Sequence, residues 1–128
     1  MAINSFRNLR IWQEAHRLSL EIYRVTASFP AEEKFGIISQ MRRAATSVSA
    51  NISEGSGRHT RNDYVNFLYI ARGSAKEIIN FCLLSIDLGW LKKEDGEKII
   101  YHYDGLVVGI QNYISAIKNR PNKTTKHL

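Results

Sequence analysis

The chain has 128 residues, 44% of them hydrophobic and 23% charged, with a formal net charge of +6. That length suits one domain able to bury a core without metal or disulfide support. The composition excludes a membrane-spanning helix, since no apolar run approaches the ~20 residues one needs. Cys82, the single cysteine, excludes an internal disulfide.

Pro30 and Pro121 are the two prolines, each standing where a helical pattern begins or stops, and no alternating run is long enough to predict a strand. The first segment carries Trp12, Ala15, Leu18, Ile22, Val25 and Phe29 at spacings of three and four, one stripe of an amphipathic helix. Ser5 or Asn8 is expected to cap it and Phe29-Pro30 to close it. Pro30, Glu32 and Glu33 then suit the start of a second helix, whose stripe is Ile38, Met41, Ala45, Val48 and Ile52 and whose end is expected near Gly55. The third opens with Thr60 as cap and Asp63 reaching back, in a capping-box arrangement. Its stripe runs Tyr64, Leu68, Ala71, Ala75, Ile78, Cys82, Ser85 and Leu88, and Gly89 follows where a left-handed residue is wanted. The fourth, near Lys92 to Asn119, carries Ile99, Tyr103, Leu106, Ile110, Tyr113 and Ile117 before Pro121 stops it.

Four such segments with short links predict an all-α fold, an antiparallel up-down-up-down four-helix bundle over residues 1–120, followed by a basic C-terminal tail at residues 121–128. Leu9, Ile11 and Leu20 on the first segment, and Val65, Ile79 and Leu83 on the third, lie off the main stripes. Extra apolar lines of this kind predict a second buried surface and hence a homo-oligomer; scattered exposed apolar residues are the plainer alternative.

The second segment has a second face. Gln40, Arg43, Ser47, Asn51, Glu54 and Arg58 form a hydrogen-bonding stripe about a quarter-turn from the core stripe. No catalytic chemistry follows from it: Ser47 has no base among its helical neighbours, and Glu54 is the one carboxylate on the face. "GSG" at residues 55–57 lacks both the preceding strand and the lysine of a phosphate loop. His16, His59, His102 and His127 show no pair at metal-ligand spacing, so neither a metal nor a cofactor is expected. Small residues such as Ala44, Ala45 and Ala50 allow a neighbouring helix to come close. Gln40, Ser47, Asn51 and Glu54 are therefore expected to serve structure: Gln40, Arg43, Asn51 and Glu54 can pair across that contact, and Glu54 and Arg58, four apart, can also pair along the helix. Arg42, Arg43, Arg58 and Arg61 are open to either role, structural pairing or contact with phosphates.

The positive charge is uneven. Residues 59–91 balance, whereas Lys118, Arg120, Lys123 and Lys126 close the chain without an acid. Such an excess favours polyanions such as RNA, against the alternative of a solubilising surface and a solvated tail. The N-terminus has no apolar segment of signal-peptide type, so cytoplasmic residence is expected.

The stretch "QMRRAATSVSANISEGSGR" resembles the signature of the bacterial 23S rRNA intervening-sequence proteins, roughly Q-L-R-R-A-A-x-S-I-x-x-N-I-A-E-G-x-x-R. Gln40, Arg42, Arg43, Ala44, Ala45, Ser47, Asn51, Ile52, Glu54, Gly55 and Arg58 match in place; Val48 and Ser53 depart mildly. "FRNLRIWQEAH", "FP" and "FLYIARGSAKE" extend the likeness over about residues 6–91. The resemblance implies antiparallel four-helix bundles assembled as a pentameric ring and encoded within insertions in large-subunit rRNA genes. A related bundle is the accessory protein of diversity-generating retroelements and binds nucleic acid and a reverse transcriptase. No catalytic residues come with it.

The expectation is thus a non-catalytic homopentamer binding structured RNA (rRNA) or a ribonucleoprotein partner, with no membrane and no small-molecule substrate. Arg42, Arg43, Arg58, Arg61, Lys118, Arg120, Lys123 and Lys126 would contact phosphates. With no exposed aromatics grouped with basic residues in the sequence, readout by shape and charge is expected. The alternative is a protein–protein interaction scaffold with no direct nucleic-acid role.

Overall fold

A computed structural model describes residues 5–121. Four helices make up the fold: α1 (Arg10–Thr26), α2 (Ile37–Ser56), α3 (Arg61–Asp87) and α4 (Lys93–Lys118). Short 3₁₀ turns at Phe6–Asn8 and Ala31–Glu33 precede the first two. Among the described residues there is no strand.

The helix ends show how local chemistry sets the boundaries. Ser5 caps the first 3₁₀ turn by accepting from Arg7 N at 3.1 Å, so α1 itself starts from Leu9 with no side-chain cap. Glu32 and Glu33 lie in the second 3₁₀ turn, closed by Glu33 N to Pro30 O at 2.9 Å, and α2 begins only at Ile37, without an acid in its first turn. At α3, Thr60 Oγ1 accepts from Asp63 N at 3.1 Å, as its position suggests. That helix closes in a left-handed turn: Gly89 has φ +79°, and Trp90 N and Gly89 N donate to Ser85 O and Ile86 O, both at 3.0 Å. This double bond pattern satisfies carbonyls that the helix end would otherwise leave bare. A residue with a Cβ would be strained at that φ.

Contacts across the seams give the direction of each helix. Ser19 Oγ donates to Ala45 O at 3.1 Å, while Arg42 reaches back to Thr26, so α1 and α2 run opposite ways. Gly55 packs on Phe67, Ser47 on Ser74 and Met41 on Ser85, which sets α2 against α3. Ile86 meets Gly96, and Tyr64 Oη lies 2.8 Å from Tyr113 Oη, which sets α3 against α4. Glu14 faces His102, and Gly109 faces Ile11, which returns α4 beside α1.

The core is the sum of the sequence stripes. Leu18, Ile22, Met41, Val48, Ile52, Leu68, Ile78, Ile110 and Ile117 are fully buried. Each such aliphatic side chain contributes about 1.5–3 kcal/mol by leaving water. Ile114 joins them, while Leu88, expected inside, is 49% exposed because α3 has ended. Of the off-stripe apolar residues, Val65 is absorbed into the core and Leu9, Ile11 and Ile79 pack on its edge. Leu20 and Leu83 stay exposed.

Gly55 marks a close approach of α2 to α3: a Cβ there would sit 2.8 Å from Phe67 Cβ and 3.1 Å from the Tyr64 ring. Gly55→Ala is expected to lower unfolding free energy by about 1–3 kcal/mol through overpacking, read from urea melts, despite alanine's better helix propensity.

Candidate nucleic-acid interface

The polar stripe of α2 lies along its seam with α3 and divides into parts. In the middle, Ser47 Oγ and Ser74 Oγ are 2.9 Å apart, and Asn51 Nδ2 donates to Ser47 O at 2.8 Å and Ser47 Oγ at 3.0 Å. Ser47 and Asn51 are half-buried, so this chain of bonds ties α2 to α3. Toward its two ends the stripe is open. Gln40 and Arg43 are exposed, with Arg43 Nη2 donating to Ser39 Oγ at 3.2 Å, and Glu54 pairs with Arg58, just past the end of α2, at 3.2 Å.

The basic residues expected at phosphates fall into separate groups. Arg42 Nε donates to Thr26 Oγ1 at 2.9 Å and Nη2 to Tyr23 O at 3.2 Å, with the guanidinium 4.6 Å from the Tyr23 ring centre. It closes the carboxyl end of α1, where a cation suits the helix dipole. Arg43 lies thirteen residues, roughly 20 Å of helix, before the end of α2 at Ser56, and Arg58 lies past that end, so one stripe in sequence is two places in space. Arg58, Arg61, Lys118 and Arg120 do converge, because α2 and α4 finish where α3 begins. Arg61 donates to Lys118 O at 3.5 Å and Pro121 O at 3.0 Å, a cation on the carboxyl end of α4. Lys123 and Lys126 lie outside the described residues.

Two residues that sequence reasoning passed over join this end. The Arg72 guanidinium stands 4.8 Å from the Tyr69 ring centre and donates to Gln111 Oε1 across the α3–α4 seam. Lys118 Nζ donates to Tyr69 Oη at 3.3 Å. On the α2 side, Arg58 lies 4.7 Å from the Phe67 ring centre. Two partly buried aromatics, Phe67 and Tyr69, are therefore grouped with cations at this end, a grouping the sequence did not show. Tyr69 and Arg72 are three apart and could have been paired on the helix, but Lys118 is forty-nine residues away.

The fold also sorts charge. At the end where α1 and α3 begin and α2 and α4 finish (residues 5–16, 51–73 and 109–121), seven basic side chains face three acidic ones, a net of +4. Over the remaining described residues nine basic side chains balance nine acidic ones. All the net charge of the described residues therefore sits at one end of the bundle.

The pattern described as 23S rRNA-intervening sequence protein matches residues 7–112. The chain belongs to that family. A crystal structure of a protein of unknown function from the S23 ribosomal protein family of Bacteroides thetaiotaomicron VPI-5482 has the same fold. Its TM-score is 0.74 at 23% identity, over 81% of this chain and 97% of that one. No curated protein matches.

Between α1 and α4 this protein has an open cleft of about 690 Å³, bordered by Arg10, Glu14, Arg17, Tyr101, His102 and Gly105. Arg17 grips Glu14 through two hydrogen bonds at 3.0 and 2.7 Å, which hold the carboxyl below its ordinary range, and His102 Nδ1 lies 3.8 Å from it. Cys82 is buried in the core, which pushes its thiol up to about 12 and leaves it a packing group rather than a nucleophile. Burial likewise raises Tyr64 and Tyr103. His16 stacks on Trp12 at 4.9 Å, and His59 is exposed in the turn before α3. Among the described residues no group of three His, Cys, Asp or Glu side chains could hold a metal ion, and no helix is long and apolar enough to cross a membrane.

Two stability measurements test these assignments. Asn51→Leu removes the link to Ser47 and is expected to cost about 1–3 kcal/mol in urea melts. Glu54→Ala, at an exposed pair, should cost no more than about 0.5 kcal/mol. Because the Glu14 carboxyl is depressed in the folded state, its contribution is present above the ordinary carboxylate range and lost as pH falls through the folded value. Glu14→Gln should therefore be destabilising at neutral pH, and the gap to the parent protein should close in acid.

Proposed function

We propose that the protein is a non-catalytic, homo-oligomeric RNA-binding bundle of the cytoplasm that holds structured RNA, such as ribosomal RNA, or a ribonucleoprotein against its basic end. The observation that carries this reading is the segregation of the net charge to one end, where the end of α2 brings Arg58, the start of α3 brings Arg61 and the end of α4 brings Lys118 and Arg120. A field of one sign at one end attracts a polyanion from a distance and orients it, which an evenly mixed surface of the same net charge does not. Lys123 and Lys126 would extend the phosphate contacts, and Arg61 contributes positive potential while it secures the end of α4; Arg42 and Arg43, near the start of α2, would meet only an RNA that runs along the bundle toward its other end. Assembly with further copies, as the ring of five the resemblance implies, is supported by Leu83 and Leu84 near the carboxyl end of α3 and Leu88 just past it, each about half exposed and away from the basic end.

The same apolar line favours a second reading, a protein-interaction scaffold whose basic end is incidental. Filter binding with rRNA fragments separates the two. The RNA reading expects retention near micromolar protein that weakens steeply with salt, by a slope of roughly 0.7–0.9 per phosphate contacted. Lys118→Glu combined with Arg120→Glu should reduce both affinity and slope. No salt-dependent retention would sink it, and Arg58→Glu leaving function intact while Leu84→Glu abolishes it would favour the scaffold. Light scattering with and without RNA measures the assembly.

A further inference from the structure

The outer face of α3 at the basic end carries a stripe that no helix of this chain covers. Asn62, Asn66, Tyr69 and Gly73 follow one another at spacings of four, three and four, which places them on one face. Asn62, Asn66 and Gly73 are exposed and Tyr69 is partly so. Neither asparagine amide has a hydrogen-bond partner among the described residues, so both keep their donors and acceptors for something outside. Arg72 and Lys118 border the stripe on the α4 side, and Arg58 borders it on the α2 side.

We infer that this stripe is a stacking platform for unpaired nucleobases, so that the RNA bound at the basic end is engaged at a loop, bulge or single-stranded segment. This rests on the RNA-binding reading above and specifies it. Three features support it, each for its own physical reason. The Arg72 guanidinium lies 4.8 Å and the Lys118 ammonium 5.8 Å from the Tyr69 ring centre, and a base laid against this cation-flanked ring gains a π contact that a paired base, closed in its own helix, cannot reach. The asparagine amides carry the donor and acceptor pairs that suit the exposed edges of unpaired bases. Gly73 is the third feature. Glycine in a helix interior is unfavourable relative to alanine, yet a Cβ at Gly73 would meet nothing within 4 Å. Nothing inside the chain uses the missing side chain, and a ligand lying close against the α3 backbone does. The flanking cations then hold the phosphates on either side of the stacked bases.

The test uses the full-length protein and two fluorescent probes, a short single-stranded RNA and a blunt RNA duplex of the same length. Tyr69→Ala should weaken binding of the single strand roughly 5- to 100-fold and leave the duplex unchanged, the range expected for losing one stacked base. Tyr69→Phe, which keeps the ring, should retain single-strand binding. Gly73→Gln is the arm that does not depend on the stability of the Tyr69 variants. It should raise the thermal midpoint through better helix propensity while weakening the single strand. Lys118→Glu should weaken both probes. The inference is overturned if Tyr69→Ala and Gly73→Gln leave single-strand affinity unchanged, or weaken both probes equally. A parent protein that binds the duplex with no effect of these changes overturns the platform alone. One that binds neither probe at low salt overturns the RNA-binding reading with it.

Discussion

The seam between α2 and α3 is the constraint on which the rest of the structure depends. Helices approach closely only where side chains are small, and α2 brings Ala44, Ser47, Asn51 and Gly55 to that side. At Gly55 the Phe67 Cβ lies where a side chain would begin. Close approach of two backbones buries polar groups, and the Ser47–Ser74 contact with Asn51 behind it satisfies them. The small residues and the hydrogen bonds are thus two halves of one solution: each would be unfavourable without the other.

From that seam the polar and apolar surfaces follow. With one flank of α3 held to α2 and the other carrying Arg72 to Gln111 and Tyr64 to Tyr113 of α4, the outward face of α3 is fixed. Its amino-terminal half faces solvent at the end where α2 and α4 finish, and so lies among their terminal cations. Two arginines do double duty there and at the opposite end. Arg61 on the carbonyls of α4 and Arg42 on the end of α1 neutralise helix-terminal partial charges and fasten one helix to the next. Helix-end chemistry thereby draws positive charge to the termini of the bundle, and the surplus gathers where acids are few.

Much of the fold was legible in the chain. Stripes at spacings of three and four named nearly every core residue, from Leu18 to Ile117. Thr60 and Gly89 marked the two ends of α3 because capping depends on a few adjacent residues. The misplacements were also local. Pro30, Glu32 and Glu33 have the chemistry of a helix start, but the chain spends them on a 3₁₀ turn while it reverses direction. Ser5 likewise caps a short turn rather than α1. The site was less legible. Arg43 and Arg58 fall on one face in the sequence pattern, yet α2 ends at Ser56, and the rise of that helix separates them. Tyr69 was hidden as a functional candidate because its partner Lys118 is remote in sequence.

By itself, then, the sequence determined the helices, their buried faces, the family and the positive sign of the net charge, since each depends on residue type and on spacing within one turn or along one matching stretch. Only the tertiary structure decided which end carries that charge, which arginines are tied to helix ends and which aromatic ring stands among cations. Those properties arise from residues tens of positions apart, and no periodicity along a single helix encodes the register in which four helices meet.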